Sequence, residues 1–299
     1  DTLQFLDQSI PLSLPNTDIV QQNKSDKNML AGHDGLARKI AMEVICVMAA
    51  AQDAKDLIDV SRAHIDGCIL AHDANLDFAE KMHDMGARTS IPTTINAISV
   101  DRENWQSQGL VPSFGKKASR LADAYVNMGA RPTFTCAPYL LDDVPIKDEA
   151  IGWSESNAVI FANSVLGART QKHPDYLDLF IAITGRAPNT GVYLAENRIP
   201  TCEICVTLPT FFDDAFWPML GWLAGAKSPS GIPVLTGLEA LSPTQDDLKA
   251  LCAAFGTTSG APMLHIRGHT PEGHLPISPQ AKRLNITKTD LISLWQKFN

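Results

Sequence analysis

The sequence predicts an α/β protein built on a largely parallel sheet. Helical and strand-like patterns alternate almost throughout the chain. Helical runs also end in glycine just before short β-prone segments, as at Met85-Gly86 and Met128-Gly129. With 299 residues, 44% of them apolar, the chain is long enough for one large unit or two closely joined ones.

Residues 1–27 carry no sustained period and read as an arm or linker. Leu36, Ile40, Val44 and Met48 then mark a long helix, and a strand follows near Leu57 to Val60. A helix over 76–85 ends at Gly86, a strand runs to Ile91, a helix over 118–128 ends at Gly129, and a strand runs to Thr135. Helices follow at 156–166 and 175–183. The order then continues as strand 203–208, helix 214–224, strand 232–236, helix 244–255, strand 262–266 and helix 288–298. Thr287 and Asp290 are spaced as a capping box for the last helix. A subdivision is expected near 200–230.

The net charge of -8 argues against nucleic acid or an anionic membrane as the main partner, and no apolar run is long enough to span a bilayer. Six cysteines, at 46, 68, 136, 202, 205 and 252, are too scattered for a disulfide framework, so a reducing, cytoplasmic setting is expected. The pair Cys202 and Cys205 sits in an extended segment, unlike the helix start that a redox motif favours. The chain begins at Asp1 without a Met, as expected of a processed product, a trimmed chain or part of a longer polypeptide.

The densest chemistry lies in Ser154 to Thr170. Ser156, Asn163 and Thr170 are seven apart and fall on one stripe of a helix, with Asn157 and Ser164 one step round. Amides and hydroxyls among apolar neighbours need partners, which neighbouring backbone or a small oxygen-rich ligand can supply. The segments 85–96 and 128–137 echo one another, and Thr93 and Cys136 lie equally far past their glycines. Both would then reach the same sheet edge, where parallel α/β sheets bind ligands. Cys136 reads as a nucleophile, a metal ligand or a small buried hydrophobe. His64 reads as a proton carrier or a turn histidine. Thr93, Thr94 and Asn96, with Asp101 nearby, suit a carboxylate or hydroxyl, or else a loop capped by its own side chains. Arg169 and Arg186 are candidate carboxylate clamps, Arg186 having a surface role as its alternative. His265, His269 and Glu272 cluster without a zinc spacing.

Several segments together resemble the large, catalytic part of the aconitase X family, a branch of the aconitase superfamily. They are Pro-Thr-Thr-Ile-Asn-Ala at 92–97, Thr-Cys-Ala-Pro-Tyr at 135–139, Glu-Ser-Asn-Ala-Val at 155–159, Ala-Asn-Ser-Val-Leu-Gly-Ala-Arg-Thr at 162–170 and Thr-Gly-Arg-Ala-Pro at 184–188. Met-Leu-Ala-Gly at 29–32, Ala-His-Ile-Asp-Gly at 63–67 and Gly-His-Thr-Pro-Glu at 268–272 fit as well. The resemblance implies three-layer αβα units of aconitase-like fold over residues 28–299. It implies a hydro-lyase that takes water from a small hydroxy acid, with an iron–sulfur cluster or a single iron acting as Lewis acid on the departing hydroxyl. By resemblance Cys136 is a metal ligand, and His64, Glu155 and Ser156 serve catalysis. Thr93, Thr94, Asn96, Asn157, Asn163, Ser164, Arg169 and Thr170 line the substrate pocket. The resemblance places the family's other cluster cysteines beyond Asn299, and a proton-abstracting serine in a small swivelling domain that is fused or a separate subunit. The site in this chain is therefore expected to be incomplete at its C-terminal side.

The resemblance implies cis-3-hydroxy-L-proline or mevalonate 5-phosphate as substrate, and the absence of a Gly-rich phosphate cradle favours the first. Two rivals stand beside the dehydratase. One is a non-catalytic small-molecule-binding member without the cluster. The other is a cysteine-dependent hydrolase using Cys136 and His64.

Overall fold

The computed structural model describes residues 14–298, so residues 1–13 of the expected arm lie outside it. The rest of that arm is built into the fold. A 3-10 turn at Thr17–Ile19 leads to helix α1, Lys24–Leu30. Asn23 and Asp26 cap α1 reciprocally. Asp26 is fully buried and receives the Arg186 guanidinium through both carboxylate oxygens, at 2.9 and 3.2 Å. One polar turn and a seven-residue helix are too short to leave a period in the sequence.

Then follow α2 (Leu36–Ala51), β1 (Leu57–Asp59), β2 (Ala63–Ile65), α3 (Asp73–Asp84), β3 (Thr93–Ile95), α4 (Pro112–Asn127) and β4 (Gly152–Trp153). Helix α5 (Ser156–Phe161) passes directly into a π turn over Ala162–Leu166, and α6 (Leu177–Thr184) and β5 (Arg186–Pro188) follow. The remainder is β6 (Cys202–Val206), α7 (Phe216–Lys227), β7 (Pro233–Thr236), α8 (Gln245–Thr258), β8 (His265–Ile266), β9 (Lys282–Ile286) and α9 (Lys288–Phe298).

The α/β expectation with parallel sheets holds. One sheet has the order β3-β2-β4, and a second has the order β8-β7-β6-β9; every pairing in both is parallel. Strands β1 and β5 form a separate antiparallel pair. The strand expected to end at Ile91 instead starts at Thr93. The strand expected before Thr135 is reduced to a single bridge between Thr94 and Arg131.

Gly86 and Gly129 do end their helices, with φ of 88° and 108°. The segments after these glycines differ: Thr93 opens a strand, while Cys136 lies beyond an irregular stretch.

Two apolar cores form. The first gathers α2, α3, α4 and α6 around residues such as Met42, Ile45, Leu121 and Ile181. Every residue of α6 is buried, as expected of a helix that is apolar apart from Asp178 and Thr184. The second core joins β6, β7, α7 and α8 to Ala158, Val159, Ile160 and Phe161 of α5. No described helix is long and apolar enough to cross a membrane.

Candidate functional site

Strand register builds the site. Strand β2 pairs with β3 at His64↔Thr94 and with β4 at His64↔Trp153. Side chains alternate along strands, so these three share one sheet face. Two residues further on, Asp66, Asn96 and Glu155 form the next row, at the carboxyl ends of the three strands. That end is where parallel sheets take ligands.

Hydrogen bonds hold this second row together. The Asn96 amide donates to Asp66 Oδ1 and to Glu155 Oε2, the latter at 2.7 Å. Asn157 Nδ2 donates to Glu155 Oε1 at 3.1 Å, and Tyr139 donates its hydroxyl proton to Asn157 Oδ1 at 3.1 Å. Tyr139 is fixed by stacking on Phe161, with ring centroids 4.2 Å apart.

The other sheet face packs on α6. A Cβ at Gly152 would lie 2.5 Å from Ile181 Cγ2, so glycine sets how near β4 approaches α6. From α6, the wholly buried Asp178 accepts the backbone N–H of Asp66 at 2.6 Å and that of Leu179 at 2.7 Å. Burial pushes the Asp178 carboxyl up to about 7, against the opposing pull of those N–H groups. Burial and the neighbouring Glu155 push Asp66 up to about 6. Among the described residues no Lys, Arg or His forms an ion pair with Asp66, Glu155 or Asp178.

His64 lies one row behind, fully buried, with Nδ1 2.7 Å from Thr94 Oγ1 and Nε2 without a hydrogen-bond partner. Burial lowers its pKa to about 3, the Thr135 backbone opposing, so the ring is neutral at physiological pH.

The structure thus brings together His64, Thr94, Asn96, Glu155 and Asn157. Ser156 opens α5 beside them and is exposed. Thr93 lies on the opposite face and donates to the Ile91 carbonyl.

The expected polar stripe breaks up, because the helix widens into the π turn and stops at Gly167, φ 74°. Asn163 and Thr170 bind each other instead. The Asn163 amide donates to the Thr170 and Pro262 carbonyls at 2.8 and 2.9 Å, and its oxygen accepts the Thr170 N–H at 3.0 Å. Thr170 Oγ1 donates to the Trp153 carbonyl, and Ser164 Oγ accepts the Leu264 N–H. These three side chains are spent on backbone. Arg169 is likewise engaged, by Asp148 and the Tyr193 carbonyl.

Arg186 clamps carboxylates of the chain itself, Asp26 and Asp59, rather than a ligand. Asp101 caps its own loop, accepting the N–H groups of Glu103 and Asn104. His265 and His269 bind the carbonyls of Arg198 and Leu238, and Glu272 pairs with Arg198. Cys202 is buried and Cys205 exposed, as alternation on β6 dictates, so they share no site.

Cys136 is exposed, in the bend after residues 131–135. An iron–sulfur cluster takes several thiolates, and Cys46, Cys68, Cys202 and Cys252 are buried. Among the described residues no three His, Cys, Asp or Glu side chains gather as a ligand set. The described residues therefore do not by themselves fit a cluster.

Sequence reasoning missed Asp66 and Asp178. Asp178 had a signal, a lone carboxylate in the apolar run Leu-Asp-Leu-Phe-Ile-Ala-Ile. Asp66 stood inside the 63–67 segment, two residues past His64, and only the register of three strands distinguishes it.

The model of the aconitase X first domain matches residues 19–196, and that of the second domain matches residues 200–296. A cis-3-hydroxy-L-proline dehydratase of Pseudomonas aeruginosa is 51% identical over 247 residues, covering 83% of this chain and 43% of its own length. One from Hypocrea jecorina is 43% identical over 308 residues, covering 100% of this chain and 50% of its own length. The phosphomevalonate dehydratase large subunit of Methanothermobacter thermautotrophicus is 32% identical over 270 residues, covering 90% of this chain and 66% of its own length. The crystal structure of Thermococcus kodakaraensis aconitase X, in its holo-form, superposes with a TM-score of 0.84 at 30% identity, over 93% of this chain and 70% of that one. The chain thus spans about half the length of these two hydroxyproline dehydratases. Both domain models, running in order from residue 19 to residue 296, make this chain a member of the aconitase X family.

Proposed function

We propose that the chain forms the substrate-binding part of a hydro-lyase that removes water from cis-3-hydroxy-L-proline. The carrying observation is the row Asp66, Asn96 and Glu155 at the carboxyl ends of three parallel strands, braced by Asn157 and Tyr139. The names of the two relatives at 51% and 43% identity support the substrate.

In this reading the row orients the substrate. Asn96 and Asn157 hold the Glu155 carboxylate from both oxygens, so it is fixed before the substrate arrives. Neutral His64 and Thr94 form the polar floor behind it. Ser156, exposed at the start of α5, borders the open side. Cys136 has the exposure a metal ligand needs. It is one thiol, so an iron–sulfur or single-iron group would draw its other ligands from outside the described residues, and no step is routed through it.

A small swivelling subunit or domain is proposed as the partner that completes the site, on the large-subunit names of the archaeal relatives. All six cysteines are unpaired, which supports a reducing, cytoplasmic setting.

The test is anaerobic turnover of cis-3-hydroxy-L-proline, with and without iron and sulfide, and with a separately made small domain. Iron-dependent appearance of the cyclic imine is the expected result. Turnover of mevalonate 5-phosphate in its place would overturn the substrate. Binding of hydroxyproline without turnover in any combination would favour a non-catalytic member. Covalent labelling of Cys136 with iron-independent activity would favour the hydrolase. His64 and Cys136 share no hydrogen bond here, which speaks against that last reading.

A further inference from the structure

We propose that Asp66 and Glu155, bridged by the Asn96 amide, bind the cationic ring amine of the substrate, and so select a cyclic amino acid over an amine-free hydroxy acid. The inference rests on the dehydratase reading above and deepens it.

Asn96 has both its amide protons committed within the chain. Its Nδ2 donates to both carboxylates, and its Oδ1 accepts the Ala97 N–H at 2.7 Å. The amide draws the two acids together but brings no charge to balance them. No basic side chain among the described residues pairs with either acid, nor with Asp178 behind them. Like charges held this close favour the uptake of a proton or a cation. The upward push that burial and Glu155 give the Asp66 carboxyl expresses the same unmet demand.

A second observation on the same face points to a ligand. His64, one row behind, is fully buried; the Thr135 backbone bears on its ring, and its Nε2 makes no hydrogen bond of good geometry within the chain. A buried polar atom left short of a full partner beside this row is one that a ligand on the same face could satisfy.

The occupant can be named by its chemistry. A protonated secondary amine carries one positive charge and two N–H donors in a fork. Two neighbouring carboxylates, close enough to hydrogen-bond each other and both held by Asn96, match it by charge-assisted hydrogen bonds. cis-3-Hydroxy-L-proline has such an amine, and mevalonate 5-phosphate has none. The row would therefore act as a specificity determinant, holding the ring by its nitrogen while other groups meet its carboxylate and hydroxyl.

The test compares two unreactive ring acids on the holoenzyme by titration calorimetry. L-Proline has the amine and carboxylate without the hydroxyl. Tetrahydrofuran-2-carboxylate has oxygen where the amine stands. The wild type is expected to bind L-proline about tenfold or more tightly than the oxygen ring. Asp66→Asn and Glu155→Gln should each weaken L-proline about tenfold and change the oxygen ring by less than about twofold. A general packing defect would weaken both ligands alike, and that result would overturn the proposal. So would a wild type that does not prefer the amine. If a variant fails to fold, as thermal unfolding reports, the wild-type comparison still decides. Turnover of hydroxyproline without amine preference removes the proposal and leaves the dehydratase. Amine preference without turnover of hydroxyproline removes the dehydratase and leaves the amine site.

Discussion

At the scale of single residues, burial is the strongest force on the charges of this chain. His173 is an example away from the site. Tyr193 gives its proton to the Ile151 carbonyl at 2.7 Å, so His173 Nε2, 2.9 Å from the Tyr193 oxygen, must be the donor there. Its Nδ1 is left as a lone pair without a partner. Burial lowers the His173 pKa from 6.5 to about 4. The unfolded chain thus takes up this proton before the folded one does. The stability gained from the neutral ring is present above pH 6.5 and is lost as pH falls toward 4. Glutamine can keep the donor to Tyr193 and cannot titrate. His173→Gln should destabilise at pH 7, and the gap to wild type should shrink by about 2–3 kcal/mol at pH 4.5. Urea unfolding at the two pH values measures this, and an unchanged gap would contradict it.

At the scale of elements, close approach between β4 and α6 positions the site, and Gly152 permits it. Gly152→Ala places a methyl against Ile181 and should cost about 1–3 kcal/mol. It should also lower activity, because Glu155 lies just past β4. Ile181→Ala opens a cavity by itself at about 2–5 kcal/mol. The double variant should then be less destabilised than the sum of the two, and a double-mutant cycle reads that coupling. Strict additivity would mean that the two side chains do not meet.

The same elements show what a sequence carries. Helices α2, α4 and α8 are long enough to show a period, and two of them have caps written in the sequence, Gly129 after α4 and Thr244 with Asp247 at the start of α8. Strands β2, β3 and β4 are two or three residues long, with almost every residue buried, so no alternation appears. Strand β9 buries only Ile286 fully and escapes notice for the opposite reason. His64, Asn96, Glu155 and Asn157 were legible as polar residues in motif segments. Their meeting depends on strand register, which a strand this short does not encode locally. The Asn163 and Thr170 stripe misled because a π turn shifts the helical phase between them.

At the scale of the whole molecule, the family division after residue 196 does not separate two independent bodies. Helix α5 belongs to the first domain by sequence, yet its apolar side chains complete the second core. The crossing segment is pinned as well. Arg198 is fully buried, donates to the carbonyls of Val192 and Asn163 at 3.0 Å, and pairs with Glu272 at 2.6 Å. Because Asn163 closes the loop that returns to Trp153, this network ties the second unit to the element that carries Glu155. Removing one member of a buried pair leaves the other charge uncompensated, at about 3–5 kcal/mol. Glu272→Gln should cost that much, although it sits outside the Asp66 row and touches none of it. Replacing both partners with apolar residues, Arg198→Met with Glu272→Leu, should recover part of the loss, since no bare charge then remains. A shared core further predicts one unfolding transition. Far-ultraviolet circular dichroism and tryptophan fluorescence should give coincident urea curves, since Trp105 lies in the first core and Trp217 in the second. Two separated curves would show that α5 does not couple the units, and that the site in the first could form without the second.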